Sequence, residues 1–253
     1  MTPGIAEIRR AADVIRGFYQ RNVKIEVKAD KTPVTEADVR SEEAIRDLLT
    51  KRFPTYGFYG EETGKSDMGA ESVWLVDPID GTRDFIRGRS GWSVSVALVS
   101  AGRPLLGMLD APARGEFWYA EAGKGSWRNG KRLVASQRKH LAGARVPAHA
   151  LPKSDADLTA VDQPNSIALR IAMVAADEAD LVATLRWGYE WDIGAAALIA
   201  REAGAAVTDA FGQPLGYNKR DPRAFGVLVC SSAIHQAAVD RLAGRARELA
   251  QSE

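Results

Sequence analysis

The six residues Asp77-Pro78-Ile79-Asp80-Gly81-Thr82 place two carboxylates directly after the apolar run Trp74-Leu75-Val76. A strand built from that run delivers both acids to its carboxyl end. Pro78 fixes the local backbone, and Gly81 permits a tight turn. Gly81 and Thr82 then offer backbone amides at the start of Arg83 to Ile86; where that segment is helical, its start can hold a phosphate. Acidic oxygens beside phosphate-binding amides need a cation to separate the negative charges. Magnesium suits this hard-oxygen arrangement and commonly bridges to phosphate. An isolated Asp-Gly pair is usually a helix-capping turn, but the whole string after a hydrophobic strand points to a metal site.

Three further acidic groups carry less information alone. Gly60-Glu61-Glu62 lies shortly before the string, where a third carboxylate could close around the same cations. Asp192, in Trp191-Asp192, stands where a helix should begin, so capping and metal ligation are equally good readings. Thr35-Glu36-Ala37-Asp38 reads as a helix start with Thr35 as the cap and Asp38 returning a hydrogen bond, a place that Glu or Gln usually takes. Lys28 and Lys31 read as solvated charges. Cys230 ends the apolar run Gly226-Val227-Leu228-Val229 and reads as a buried strand residue, since none of the three histidines belongs to an evident motif.

The elements that must position these groups follow from periodicity. Ile5, Ile8, Ala12, Ile15 and Phe18, after Pro3, predict an amphipathic helix. A second helix is expected from Glu36 to Phe53, stopped by Pro54. Trp92 to Leu98 alternates large apolar residues with Ser93, Ser95 and Ala97, which predicts a strand with unlike faces. Pro104 to Asp110 and Glu116 to Ala120 read as strands, and Asn129-Gly130 as a turn between short strands. Ser136 to Gln163 gives little pattern. Beyond it, Leu169 to Ala176 and Ile193 to Ala203 read as helices, the latter ended by Gly204. Ala205 to Thr208 and Gly226 to Cys230 read as strands, and Ser231 or Ser232 as the cap of a last helix carrying Ile234, Val239 and Leu242. A layered α/β architecture follows. The expected division is an α+β part, 1–140, holding most of the acidic groups, and an α/β part, 141–253, contributing Asp192.

At 253 residues the chain suits one large domain or two intimate subdomains. Its net charge of +1 implies no long-range attraction to a nucleic acid polymer, so a small anionic ligand would need a locally built site. One cysteine excludes an intrachain disulfide and fits a reducing cytoplasm, the expected compartment. No segment reaches the ~20 apolar residues of a membrane span, and the N-terminus does not read as a signal peptide.

Taken in order, Lys28-Ala29-Asp30-Lys31-Thr32-Pro33-Val34-Thr35-Glu36-Ala37-Asp38, Gly60-Glu61-Glu62, the aspartate string and Trp191-Asp192 resemble the motifs of the inositol monophosphatase family. The resemblance runs through nearly the whole chain. It implies the αβαβα sandwich shared with fructose-1,6-bisphosphatases, and a magnesium-dependent phosphatase, often lithium-sensitive and frequently homodimeric. It further implies that Glu61, Asp77 and the Ile79 carbonyl hold one magnesium and that Asp77, Asp80 and Asp192 hold a second. Glu61 also resembles the carboxylate near a third, weaker one. Asp38 and Thr82 would orient and deprotonate the attacking water, making Asp38, Glu61 and Thr82 the catalytic set. The Gly81 and Thr82 amides would hold phosphate, with Asp80 and Asp192 also facing the substrate.

Three substrate classes follow from the resemblance. Inositol-phosphate enzymes place a glutamate seven residues before the aspartate of the Trp-Asp motif, where this chain has Leu185 and keeps Glu190 nearby. Ser166-Ile167-Ala168-Leu169-Arg170 resembles the Ser-Leu-Lys segment of 3′(2′),5′-bisphosphate nucleotidases, which would put Arg170 beside a second phosphate; an exposed helix arginine is the plain alternative. Gly60-Glu61-Glu62-Thr63-Gly64 is similar to histidinol-phosphate phosphatases. The expectation leans to the bisphosphate nucleotidase. The alternative of another class is a regulatory or RNA-associated binding protein on the same fold.

Overall fold

The computed structural model of the protein describes residues 25–27, 33–66 and 69–251. The helix expected from Pro3 to Phe18 lies outside the described residues, as do Lys28 and Lys31. Strands β1 (Ile25–Val27) and β2 (Pro33–Thr35) pair antiparallel and lead into helix α1 (Glu36–Arg52). The Thr35 hydroxyl accepts from the Ala37 and Asp38 amides, and the Asp38 carboxylate accepts from the Thr35 amide at 2.7 Å, closing a capping box with aspartate in the third position.

Eight strands form the central sheet: β3 (Gly57–Gly60), β4 (Gly64–Ser66), β5 (Ser72–Asp80), β6 (Ser93–Ser100), β7 (Arg103–Ala111), β8 (Glu116–Glu121), β9 (Gly125–Arg128) and β10 (Lys131–Arg132). Their order is β10-β9-β8-β7-β6-β5-β3-β4, with only the β3/β5 pair parallel. Asn129 and Gly130, both with positive φ, make the expected turn between β9 and β10. Alternation along β5 sends Trp74 and Val76 to one face, where Ile45 and Leu49 of α1 and Phe53 just after it close a core. Val73 and Leu75 go to the other face.

A short helix, α2 (Thr82–Ile86), follows β5. After it the second half supplies α3 (Ile167–Ala175) and α4 (Glu190–Glu202), whose apolar faces share one core with Val73, Leu75, Ala97 and Leu109. That core therefore crosses residue 140. Strands β11 (Arg145–Pro147) and β12 (Thr159–Val161) pair in parallel. Strands β13 (Leu181–Ala183) and β14 (Trp187–Tyr189) precede α4; β15 (Ala205–Thr208), β16 (Arg223–Phe225) and β17 (Leu228–Ser231) follow it. β14 pairs with β16, and β13-β17-β15 form a small sheet on the far side of α3 and α4. Helix α5 (His235–Gln251) covers that sheet through Ala238 and Leu242 against Leu228 and Cys230. Helix, sheet, helix pair, sheet and helix alternate, which is the α/β sandwich expected.

Several local expectations need correction. β6 is buried on both faces, because Ser93 and Ser95 are covered by the second half: the Ser95 hydroxyl donates to the Trp191 carbonyl at 2.9 Å. The helix expected from Ile193 begins at Glu190, so Asp192 stands in its first turn, where its carboxylate accepts from the Tyr189 amide at 3.4 Å and shares in capping the helix. Ser231 and Ser232 do not cap α5; their hydroxyls donate to the carbonyls of Arg138 and Gly204. Gly226 precedes β17 in a left-handed conformation. Cys230 is buried as expected, which pushes its thiol up to about 12. Among the described residues, no helix is long and apolar enough to cross a membrane.

Candidate active site

The parallel pairing of β3 with β5 aligns Gly60 with Val76, so the next residues, Glu61 and Asp77, leave the sheet side by side. The Glu61 amide completes the alignment by donating to the Val76 carbonyl. A regular strand would send Asp77 and Asp80 to opposite faces, since they are three positions apart. Pro78 cannot continue the ladder, and the register with β6 slips between Asp77, opposite Ser95, and Asp80, opposite Ser93. The irregularity brings both acids to the wall of one cavity of about 210 Å³, which Glu61, Ile79, Gly81, Thr82 and Asp192 also line. The Asp77 carboxylate accepts from the Ile79 amide at 2.9 Å, bracing the turn. Gly81 completes it at φ 99°, and a Cβ there would lie 2.9 Å from the Gly91 carbonyl oxygen and the Ser166 amide nitrogen.

Asp192 arrives from the opposite layer. Its helix is anchored by the Ser95–Trp191 hydrogen bond and by Tyr189 stacked on Trp191, with ring centroids 4.5 Å apart. The result is a triad: one carboxylate oxygen from each of Glu61, Asp77 and Asp192, all within 4.8 Å of one another. Burial, then the neighbouring charges of Glu61, Asp80 and Asp192, raise Asp77 well above the ordinary carboxylate range. Burial, then Asp80 and Glu61, do the same to Asp192. Negative charge so concentrated and so little compensated is what a divalent cation relieves, and the donors are the hard oxygens magnesium takes.

Asp80 lines the same cavity but is tied differently. It accepts from the Ser166 hydroxyl at 2.5 Å and the Ala168 amide at 2.7 Å, at the start of α3, and more distantly from the Ile167 amide. Burial raises it to about 6 against the opposing effect of these bonds. The Thr82 hydroxyl lies 3.1 Å from the Ile79 carbonyl oxygen and 3.5 Å from Asp38 Oδ1. Asp38 thus caps α1 with one oxygen and faces Thr82 with the other, so both readings of that residue describe the same side chain.

Arg170 stands apart from the carboxylates. It lines a neighbouring recess, not the carboxylate cavity. Its Nε and Nη2 donate to the carbonyls of Pro164 and Asn165 at 2.8 and 2.6 Å, so the side-on fork that would clasp a phosphate is already occupied.

Two residues escaped sequence reasoning. Glu42 is wholly buried in α1 and accepts from the Glu62 amide and from the amide and hydroxyl of Thr63, which holds the loop carrying Glu61. A Cβ at Gly60 would come within 2.1 Å of the Glu42 carboxylate, so that glycine is what admits it. Arg186 lines the cavity beside Asp192 and opposes the rise of its pKa. Nothing in the Leu185-Arg186-Trp187 run marks it in the sequence; for the other, the available signal was that Glu42 falls in helical register with Ile45 and Leu49, on a face that Asp38 and Ser41 share.

Comparison with known proteins now bears on this geometry. The model of the inositol monophosphatase family matches residues 2–250. The chain belongs to the inositol monophosphatase family. It is accordingly a phosphoric monoester hydrolase, as members of this family are. It is 31% identical to inositol monophosphatase 3 of Solanum lycopersicum, over 84% of this chain and 86% of that one. It is 32% identical to the 3′(2′),5′-bisphosphate nucleotidase CysQ of Aggregatibacter actinomycetemcomitans, over 84% and 85%. Among solved structures, the Thermotoga maritima IMPase superposes with a TM-score of 0.83 at 28% identity, covering 97% of each chain. Family membership fixes the reaction class; relatives this evenly similar carry different substrate names.

Proposed function

We propose that the protein is a magnesium-dependent phosphomonoesterase of small metabolites, with a nucleoside 3′,5′-bisphosphate as its preferred substrate. The convergence of Glu61, Asp77 and Asp192 beside the Gly81–Thr82 turn carries the reading. In this reading Glu61, Asp77 and the Ile79 carbonyl would hold one magnesium, and Asp77, Asp80 and Asp192 would hold a second. Bound magnesium supplies positive charge for the phosphate and leaving oxygen and lowers the pKa of water. The Gly81 and Thr82 amides orient the phosphate. Asp38 accepts from the Thr82 hydroxyl, so that Thr82 in turn accepts from and aligns the attacking water. Positioning and charge compensation suffice for phosphoryl transfer, and no protein nucleophile is needed.

One observation favours this substrate, and the match to CysQ, equalled by that to inositol monophosphatase 3, is compatible with it. Leu185, which stands where an inositol-phosphate enzyme would carry its glutamate, packs beside apolar clusters and offers no polar contact. Phosphate release from adenosine 3′,5′-bisphosphate, inositol 1-phosphate and histidinol phosphate tests the assignment. The nucleotide is expected to give the highest kcat/KM, and only with magnesium. A preference for either monophosphate overturns the substrate; no release from any of a wider monoester panel favours a binding protein on this fold.

A further inference from the structure

Beside the catalytic cavity lies a second recess of about 390 Å³, lined by Arg83, Arg87, Arg89, His149 and Arg170. Arg83 and Asn165 belong to both walls, so the two spaces adjoin. Among the described residues Asp84 is the one carboxylate on the wall of this recess. It sits 3.9 Å from Arg89 and accepts from the Asn165 amide at 3.3 Å. One such carboxylate does not balance four guanidinium groups.

The arrangement has a fixed part and an adjustable part. Arg170 is half-buried and locked to two backbone carbonyls, with its remaining N–H groups left for the recess. Burial lowers its pKa, Arg186 adds to that effect, and Asp80 and Asp84 oppose it. Arg83, Arg87 and Arg89 are exposed and come from one seven-residue stretch. No hydrogen bond or ion pair to another described residue holds the guanidinium groups of Arg83 and Arg87. Arg83 and Arg87 are four positions apart across α2, a rise of about 6 Å. A cationic path thus leads from the catalytic wall to a point roughly one helical turn away.

We infer that this recess is a second anion subsite, which takes the non-scissile phosphate of a compact bisphosphate while the scissile phosphate lies at Glu61, Asp77 and Asp192. Arg87 and Arg89 are its direct ligands: no described residue holds the Arg87 fork, and Arg89 has only the loose 3.9 Å contact with Asp84, which leaves fork N–H groups for phosphate oxygens. Arg170 is a positioning residue that holds the floor and keeps Pro164 and Asn165 in place. The inference rests on the phosphatase reading of the adjoining cavity and specifies how that site selects its substrate.

The test compares kcat/KM for adenosine 3′,5′-bisphosphate and inositol 1-phosphate in the wild type, in R87A/R89A and in R87K/R89K. R87A/R89A is expected to lower the nucleotide-to-inositol ratio roughly ten- to hundredfold, and the lysine pair to recover part of it. Direct binding of the nucleotide, measured by calorimetry in a Thr82→Ala background with magnesium, is expected to weaken by a similar factor. An unchanged ratio with unchanged binding, or equal losses on both substrates, overturns the subsite. Loss of inorganic phosphate binding in R87A/R89A with the substrate ratio unchanged assigns the recess to free phosphate and also overturns it. If the wild type hydrolyses neither substrate, the phosphatase reading fails by itself, and the binding arm still decides the subsite.

Discussion

Asp77 and Asp180 are equally buried, each with 2% of its surface exposed, yet their surroundings push them in opposite directions. Burial raises Asp77, and four neighbouring carboxylates, Glu61, Asp80, Asp192 and Asp38, raise it further. Burial would raise Asp180 too, but Arg145 and Ser136 outweigh it and lower it to about 2. Asp180 accepts from the Arg145 amide at 2.8 Å, from its guanidinium at 2.8 and 3.1 Å, and from the Ser136 hydroxyl at 2.5 Å. One aspartate has its counter-charge within the chain and joins β11 to the start of β13. The other sits among carboxylates, and none of the described residues forms an ion pair with it. Stability accounts for Asp180; the charge gathered around Asp77 is of the kind that a cation from solution would relieve.

The largest effect expected from this contrast is on turnover. Thr82 belongs to the incomplete side, with a long 3.5 Å contact to Asp38 that a water can complete. Thr82→Ala is expected to lower kcat by roughly 10²–10⁴, the usual loss when proton-transfer assistance is removed, with KM little changed. Steady-state kinetics at saturating magnesium checks this, and a defect mainly in KM would make Thr82 a phosphate-binding residue instead.

On the complete side the effect is on stability. Asp180→Ala leaves Arg145 with the exposed Asp177 as its one acidic partner among the described residues and is expected to cost about 3 kcal/mol in denaturant unfolding. A cost within ~0.5 kcal/mol would show that the pair contributes little and would remove half of the contrast.

The smallest effect is a difference in pH response. The Asp180 carboxyl lies near 2 in the folded protein and near 3.9 when unfolded, so its stabilisation is present above about pH 4 and is lost as pH falls toward 2. Asp80, raised to about 6, behaves in the reverse sense. The folded state holds a proton that the unfolded chain has released, so metal-free stability declines as pH rises from about 4 to 6. Thermal unfolding in chelator should show both slopes, and magnesium should flatten the second. A second slope indifferent to magnesium would separate the carboxylates from any metal.

What was legible in the sequence is what is local. The aspartate string announces itself because strand, proline, acid and glycine are consecutive, and the Thr35–Asp38 box because its partners are three residues apart. The slip after Asp77 depends on pairing with Ser93 and Ser95. The burial of those serines depends in turn on Ser166 at the start of α3, 73 positions after Ser93, and on Trp191 of α4, 96 positions after Ser95. Glu42 gains its meaning from amides twenty residues on, and Arg186 from a cavity assembled by three layers. Arg170 was noticed for its segment, but the carbonyls that occupy it come from a turn whose path no periodicity described.

The most direct test of the carboxylate triad is calorimetric titration of magnesium into the metal-free protein and into its Asp77→Asn variant, with circular dichroism to establish that both are folded. The wild type is expected to bind magnesium, and the variant, which loses the carboxylate common to both proposed ion positions, to bind it far more weakly and to lose most phosphatase activity. Equal magnesium binding by the two folded proteins, or full activity of either in chelator, would contradict the account.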